Sequence, residues 1–381
     1  RRWLQQEGWW SSASSTGLQS GVESLYDVPV PIHNWEEFDQ LFAWDRRSYG
    51  QEAVGATYLG AAIRSFFAQG GRKCFVISLG EPLALSADRA RRDELLLQLV
   101  PAYLGRSARR SEWHGLHHLF GLPEVSCVAL PDLAELASTQ HLDEAVSVEV
   151  SPPEPQFVEC SQPLAKEEQS RVIHLDAPSC TDSEYELWQR TIRRALRWLS
   201  DFRREAQLLA ALPLPHTASS AARDLLVFMH AKGWLSGTLQ TGGSLASAFL
   251  QLGYPWLQQA YARDLPAGLE PPEGVLAGLL ARNALTRGTF RSATALAVHD
   301  VIDLVPRLSQ AEQYRRNPAA PLQASPQASL IDRVSLLGPT PKGPCLLSDV
   351  TMSNAITYRQ AGLTRTIALV MRAARVIGEE D

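Results

Sequence analysis

Apolar residues recur at helical spacing between about Ala56 and Gln69, where Leu59, Ala62, Ile63, Phe66 and Phe67 share one face. The spacing predicts a helix, and Gly70-Gly71 predicts its end, because glycine takes the left-handed cap geometry without a Cβ clash. The almost continuous apolar run Cys74–Leu79 follows, which predicts a strand buried on both faces of a parallel, helix-covered sheet. A helix near Asp88–Leu104 and a strand over Val125–Leu130 repeat the order. Alternating helices and buried strands imply an α/β layer fold. Upstream, Val28-Pro29-Val30-Pro31 is extended, and Asn34 with Glu37 has the capping-box spacing before a short helix bearing Trp35, Phe38, Leu41 and Phe42.

Thr181 and Glu184 form a second capping-box signature. They open a long amphipathic helix, about 182–211, with Trp188, Ile192, Ala195, Leu196, Leu199, Phe202, Ala206 and Leu209 on its apolar face. Pro213 and Pro215 stop it. Val172–Leu175 reads as a short strand, Leu225–Met229 as either helix or strand, and Ala248–Leu257 as extended up to a break at Pro255. Gly274 and Gly278, among the small apolar residues of Glu273–Arg282, predict close helix packing. A last helix is expected over about Ser353–Ile377, with Leu363, Ile367, Val370, Met371, Ala374 and Ile377 on one face. Pro- and Glu-rich residues 140–170 predict an exposed insertion, and Gln313–Gln327 a connector. Residues 1–24, rich in Ser, Gly and Gln, read as an arm in which Trp3, Trp9 and Trp10 argue against a purely solvated linker.

Composition narrows the class. The 381 residues are 45% apolar and 20% charged, enough for a globular core and for two or three domains. A net charge of -5, with no basic block interleaved with aromatics, argues against a nucleic-acid groove. No apolar run reaches the ~18 residues that a membrane span needs. The five cysteines lack CxxC spacing and read as reduced, without a disulfide framework. The chain does not begin with Met, and its last helix runs to the end. Truncation at both ends is the expectation.

Candidate chemistry is sparse. His114 and His118 would share a helical face with zinc-ligand spacing, but the glutamate of HExxH is missing and Gly115 weakens the helix. A surface or partly buried histidine cluster is the plainer reading. Cys127 and Cys345 lack a visible activating partner. Gly242-Gly243-Ser244 and Gly338–Gly343 do not fit a phosphate loop, the second because its prolines remove backbone donors. Asp45, Arg46 and Arg47 read as a solvated surface. No catalytic residue, cofactor or metal ligand is assigned, and a non-enzyme is expected. The informative charges are Arg190, Arg193, Arg194, Arg197, Arg203 and Arg204 on the 182–211 helix, with Arg365 and Arg372 on the last one. Arginine suits bidentate pairing across subunit interfaces, and these eight residues are the interface candidates.

Several segments, in order, resemble the contractile phage tail sheath family, which includes the sheath proteins of extracellular contractile injection systems. Tyr58–Ile77 resembles the family's helix, double glycine and strand, and Trp35-Glu36-Glu37-Phe38 with Leu41-Phe42 the segment before it. Ala129-Leu130-Pro131-Asp132 looks like the strand ending in Pro-Asp, and Tyr254-Pro255-Trp256 is a third match. Glu270–Arg282 is similar to "PPSGxxAGxxAR", with Glu273 where serine is common and Asn283 where aspartate is common. Arg287-Gly288-Thr289-Phe290 matches the "RGxx" that follows.

The resemblance spans about Tyr26 to Ile377. It implies an α/β fold in which a helix-covered mixed sheet carries an inserted loop region and a partial C-terminal α+β domain. The expected division is a flexible arm at 1–24, a sheath-like domain at 25–335 and the start of a C-terminal domain at 336–381. It implies a structural subunit that stacks as hexameric rings around an inner tube protein and contracts by rigid-body rearrangement. Its partners would be copies of itself, the inner tube, and baseplate and cap or terminator proteins, with no nucleic acid and no membrane insertion. Assembly in the cytoplasm into a phage tail or extracellular contractile particle is implied. A non-contracting terminator or baseplate-proximal adaptor, and an α/β enzyme with its site near Pro131-Asp132, are the alternatives.

Overall fold

Buried apolar runs pair into sheets, and helices cover them. The computed structural model describes residues 25–48, 54–83, 89–101, 110–138, 146–148, 172–174, 176–234, 243–245, 247, 250–291, 293, 296–307, 334–339, 345–348 and 370–371. The elements used below are, in chain order, β1 (Val30–Ile32), α1 (Trp35–Leu41), α2 (Tyr58–Ala68), β2 (Cys74–Val76), α3 (Arg89–Leu99), β3 (Cys127–Ala129), α4 (Leu133–Ala137), α5 (Asp182–Phe202), β4 (Gln207–Ala211), α6 (Leu225–Ala231), β5 (Leu250–Tyr254), β6 (Trp256–Gln259), β7 (Leu269–Glu270), α7 (Glu273–Arg287), β8 (Val301–Val305), β9 (Val334–Pro339) and β10 (Cys345–Ser348).

The main sheet has the order β10-β9-β5-β4-β3. β3, β4, β5 and β9 run parallel, and β10 is antiparallel to β9. Every residue of β4 is buried. Leu208 and Ala210 join the cluster that holds Trp188, Ile192 and Trp198 of α5. Leu209 joins the cluster of Val275, Leu276 and Leu279 of α7. Alternate side chains of one strand thus meet helices on opposite faces, the layering of a buried parallel sheet. A smaller antiparallel sheet, β7-β6-β8, continues from β5 past Pro255.

Helices α2 and α7 approach backbone to backbone. A Cβ on Gly274 would lie 2.3 Å from the carbonyl oxygen of Ala62, and one on Gly278 would lie 2.6 Å from that of Phe66. Residues four apart on one helix thus meet residues four apart on the other, backbone against backbone. At the end of α2, Gly70 has φ +102° and the N–H of Gly71 donates to the Phe66 carbonyl at 2.9 Å. Gln69, fully buried, donates to the His299 carbonyl at 2.9 Å and accepts from its N–H at 3.0 Å. The expectation of close packing at Gly274 and Gly278 is met.

Two expectations are corrected. The run from Cys74 does form a strand, but β2 pairs antiparallel with β1 (Val30↔Val76, Ile32↔Cys74) in a separate ribbon. Of its residues only Val76 is buried. An apolar run signals burial without specifying the partner, and here the extended lead at Val28–Ile32 is that partner. The predicted helix 182–211 ends at Phe202, Ala206 lies in the connection after it, and Leu209 belongs to β4. Leucine and alanine suit both structures, and pairing with β3 and β5 decides between them. Residues 335 and 336 lie in β9, which joins the main sheet through β5.

Residues 146–148 pair antiparallel with residues 172–174, so this part of the expected insertion is a strand pair. Leu225–Ala231 is helical. The arm 1–24, the connector 313–327 and most of the 353–377 helix lie outside the described residues. Val370 and Met371 are helical and exposed.

Substituting Gly274 or Gly278 with alanine forces the two backbones apart. Each should lower unfolding free energy by roughly 1–3 kcal/mol, the cost of overpacking a close contact. Leu285→Ala, on an exposed position of α7, should change it far less. Urea unfolding of the three variants checks this, and a tolerated Gly274→Ala would refute the backbone contact.

Candidate interaction interface

The long helix α5 is set by its cap and its core. The N–H of Thr181 donates to Glu184 Oε2 at 2.8 Å, closing the capping box. Trp188, Ile192, Ala195 and Trp198 are inaccessible to solvent and hold the helix against the sheet. This fixes where its arginines point. Arg190, Arg197 and Arg204 are exposed, and Arg193 and Arg194 are half-buried. Arg190 and Arg204 each donate Nε to the carbonyl four residues back, at 3.3 and 2.7 Å. Arg194 turns inward and donates to the Leu96 carbonyl at 2.7 Å. The basicity of Arg193 is lowered, first by desolvation and then by the charge of Arg197.

Arg203 is not on this surface. It is fully buried, paired with Glu205, and donates to the carbonyls of Leu119, Leu122 (3.1 Å) and Val125 (3.2 Å). It satisfies carbonyls at the end of the 3-10 helix Gly115–Gly121 and in the turn after it, so the structure removes it from the interface set. Arg365 and Arg372 lie outside the described residues. The sequence marked α5 as arginine-rich but could not separate the buried arginine from the exposed ones, because the helix was expected to continue past it.

Arg47 is a further correction. It is buried, its guanidinium paired with Glu135 and its Nε donating to the Leu83 carbonyl at 2.8 Å. Its neighbours Asp45 and Arg46 are exposed, as expected. The histidine cluster is partly buried. His118 is enclosed and its Nε2 contacts Asp27 Oδ1 at 2.9 Å, while exposed His114 contacts the other carboxylate oxygen. Gly115 N–H adds 3.0 Å to the same group. The Asp27 carboxyl is held below the usual range by these donors, against the opposing effect of burial. His117 instead stacks on Trp198 at 5.8 Å. No trio of His, Cys, Asp or Glu among the described residues is arranged to hold a metal ion. Burial pushes the Cys74 thiol up to about 12 and raises that of Cys180, which leaves both unreactive.

The acids that sequence reasoning missed lie beneath the α2–α7 contact. Glu270 and Glu273 are fully buried and pushed up to about 8 by desolvation. Ser65 donates to Glu270 and lies 2.6 Å from the Tyr261 hydroxyl, and Glu273 accepts the Ala211 N–H at 2.6 Å. Asp132 is raised to about 6, mainly by burial, and accepts the Leu59 N–H at 3.1 Å in the first turn of α2. A cavity of about 1150 Å³ runs between β2 and β3 and reaches Asp132 and Glu135. Both carboxylates are engaged in holding α2 and Arg47, which is a structural use. Glu270-Pro271-Pro272-Glu273 was the available signal, since carboxylates at the entry of an apolar, glycine-containing helix have little route to solvent.

The two glutamates give a signed pH dependence. Their folded-state pKa exceeds the unfolded value, so the folded chain keeps these protons to higher pH. Their contribution to stability is intact below about 4.5, falls as pH rises towards about 8, and levels off above it. Denaturant unfolding between about pH 5 and pH 8 should show this decline, and Glu270→Gln should make it shallower. An equal slope in wild type and variant would refute the buried protonated acid.

No protein-family model and no curated protein matches the chain. Among solved structures, it is similar to a chain of the anti-feeding prophage (AFP) baseplate in the contracted state, with 16% identity, 91% of this chain and 68% of that one covered, and a TM-score of 0.49. The AFP helical sheath in the contracted state gives 14%, 91%, 63% and 0.46. The sheath complex of an extracellular contractile injection system (PVC), contracted, gives 11%, 92%, 66% and 0.40. The chain spans about two thirds of the length of these chains. No described helix is long and apolar enough to cross a membrane.

Proposed function

We propose that this chain is a structural, sheath-like subunit of a contractile tail or injection particle, which assembles with copies of itself around an inner tube. The observation that carries the reading is the α2–α7 crossing. The segments that carry the sequence resemblance, Tyr58–Ile77 and Glu270–Gly288, lie some two hundred residues apart and meet in one backbone contact. Gly70 packs under the Arg282 side chain at 3.1 Å, and Arg282 donates to the Ala297 carbonyl at 2.8 Å. The motif glycines and arginine thus form one packing unit. A unit of that kind supports a scaffold role, because it holds helices rigidly and presents no reacting group.

In this reading, rings of subunits stack on the tube and the extended assembly is metastable. Contraction exchanges interfaces while each subunit keeps its fold, so energy stored during assembly suffices and no nucleotide is required. Baseplate and cap or terminator proteins would bound the stack. Assembly would take place in the cytoplasm, before the particle acts outside the cell. Arg190, Arg193, Arg194 and Arg197, together with Arg204, Arg365 and Arg372, remain the proposed contact residues. Electron microscopy of the purified full chain should show stacked rings or tubes. Single closed rings would instead favour a terminator or adaptor, and monodisperse monomers at high concentration would refute the self-assembling reading.

A further inference from the structure

We infer that the arginine stripe of α5 docks on the acidic α1 face of a second copy of this chain, in a head-to-tail contact. The inference rests on the self-assembling reading above and names the surfaces involved. Arg190, Arg193 and Arg197 follow the helical repeat along one side of α5, over about 10 Å at 1.5 Å per residue. Arg190 and Arg197 are exposed, and neither is ion-paired among the described residues. Arg193 and Arg197 are four residues apart on the helix, spaced so that their side chains are neighbours, and the two like charges lie side by side. Like charges gathered on a folded surface oppose folding, and a complementary surface brought against them offsets that cost.

The same chain supplies the complement. Its 36 basic and 41 acidic residues leave a net charge of -5, so acid is in excess away from the stripe. α1 carries Glu36, Glu37 and Asp39 and no basic residue. Glu37 is used locally, accepting the His33 N–H at 2.8 Å, but Glu36 and Asp45 are exposed and without an ion pair among the described residues. Asp39 accepts the Trp44 indole N–H at 2.7 Å. Trp44 in turn packs edge-on to Trp35 at 5.0 Å, and Leu41 of α1 is exposed. An acidic rim around half-buried tryptophans and an exposed leucine has the make-up of a protein contact. Of the nearby basic groups, Arg64 is stacked over the rings of Tyr261 and Trp35, at 4.4 and 5.4 Å, and Lys73, next to the Cys74 that pairs with Ile32, faces Glu124 at 3.6 Å, while Arg46 and Arg72 are exposed.

The two faces belong to different packing clusters, α5 to that of Trp188 and Trp198 and α1 to that of Phe38 and Ile32. A contact between unlike patches is heterologous, and repetition closes it into a ring or extends it into a helix. A short stripe flanked on its own helix by Glu186 and Asp201 suits a discrete set of carboxylates better than the long, uniform charge of a nucleic acid.

The test is charge reversal in the full chain. Arg190→Glu with Arg197→Glu makes both faces acidic, and Glu36→Lys with Asp45→Lys makes both basic. All four positions are exposed, and near-UV circular dichroism checks that each variant folds. By sedimentation at low salt, each variant alone should need about tenfold more protein to assemble than wild type. An equimolar mixture of the two should recover assembly, because each then meets its complement. High salt should weaken the wild-type contact. Variants that assemble like wild type, or a mixture that recovers nothing, would overturn the contact while leaving the sheath-like reading in place. A monomeric wild type would overturn both. Loss of affinity for a 20-base-pair DNA duplex in the arginine variant, with self-association unchanged, would assign the stripe to nucleic acid instead.

Discussion

The fold depends on how closely α2 and α7 approach. Helices separated by ordinary side chains lie 8–10 Å apart. Here the carbonyls of Ala62 and Phe66 occupy the space that side chains at 274 and 278 would need. Helix α7 is held from its other side as well. Val275, Leu276 and Leu279 pack on the sheet cluster around Leu209, and a Cβ on Gly253 of β5 would meet Leu276 at 2.6 Å. The helix is wedged between α2 and the sheet, and moving either neighbour moves the other. This ties the N-terminal third of the chain to the main sheet.

That close packing also explains the buried acids. An entry turn pressed between two layers has no route to water, so Glu270 and Glu273 keep their protons and take backbone or hydroxyl donors as partners. The same economy appears at Arg203 and Arg47, whose guanidinium groups bind carbonyls and one carboxylate each inside the protein. Buried charge here organises irregular backbone. Exposed charge, as on α5 and α1, faces solvent in the single chain. The division matters for a subunit read as part of an assembly, since rigid interiors let interfaces exchange without loss of the fold.

Much of this was legible from residue order. The helix over Tyr58–Ala68, its glycine end, the capped starts of α1 and α5, the strand at 127–129 and the small-residue helix after Pro272 all follow from periodicity and capping, which are local properties. The candidate surface was legible only in part. The apolar periodicity placed the arginines of the 182–211 segment away from the buried face of a helix. The depth of Arg203 and Arg47 was hidden, because burial depends on what packs against a residue from far along the chain.

The sequence by itself determined several of the helices and strands, among them α1, α2, the start of α5 and β3, and that glycines 274 and 278 would face a close neighbour. Only the tertiary structure decided that the neighbour is α2, that Cys74–Val76 pairs with Val30–Ile32, and that Gln207–Ala211 is a central strand and no continuation of α5. The physical reason is the same in each case. A local pattern states how much a segment must bury and with what period, whereas the partner that buries it is set by long-range packing.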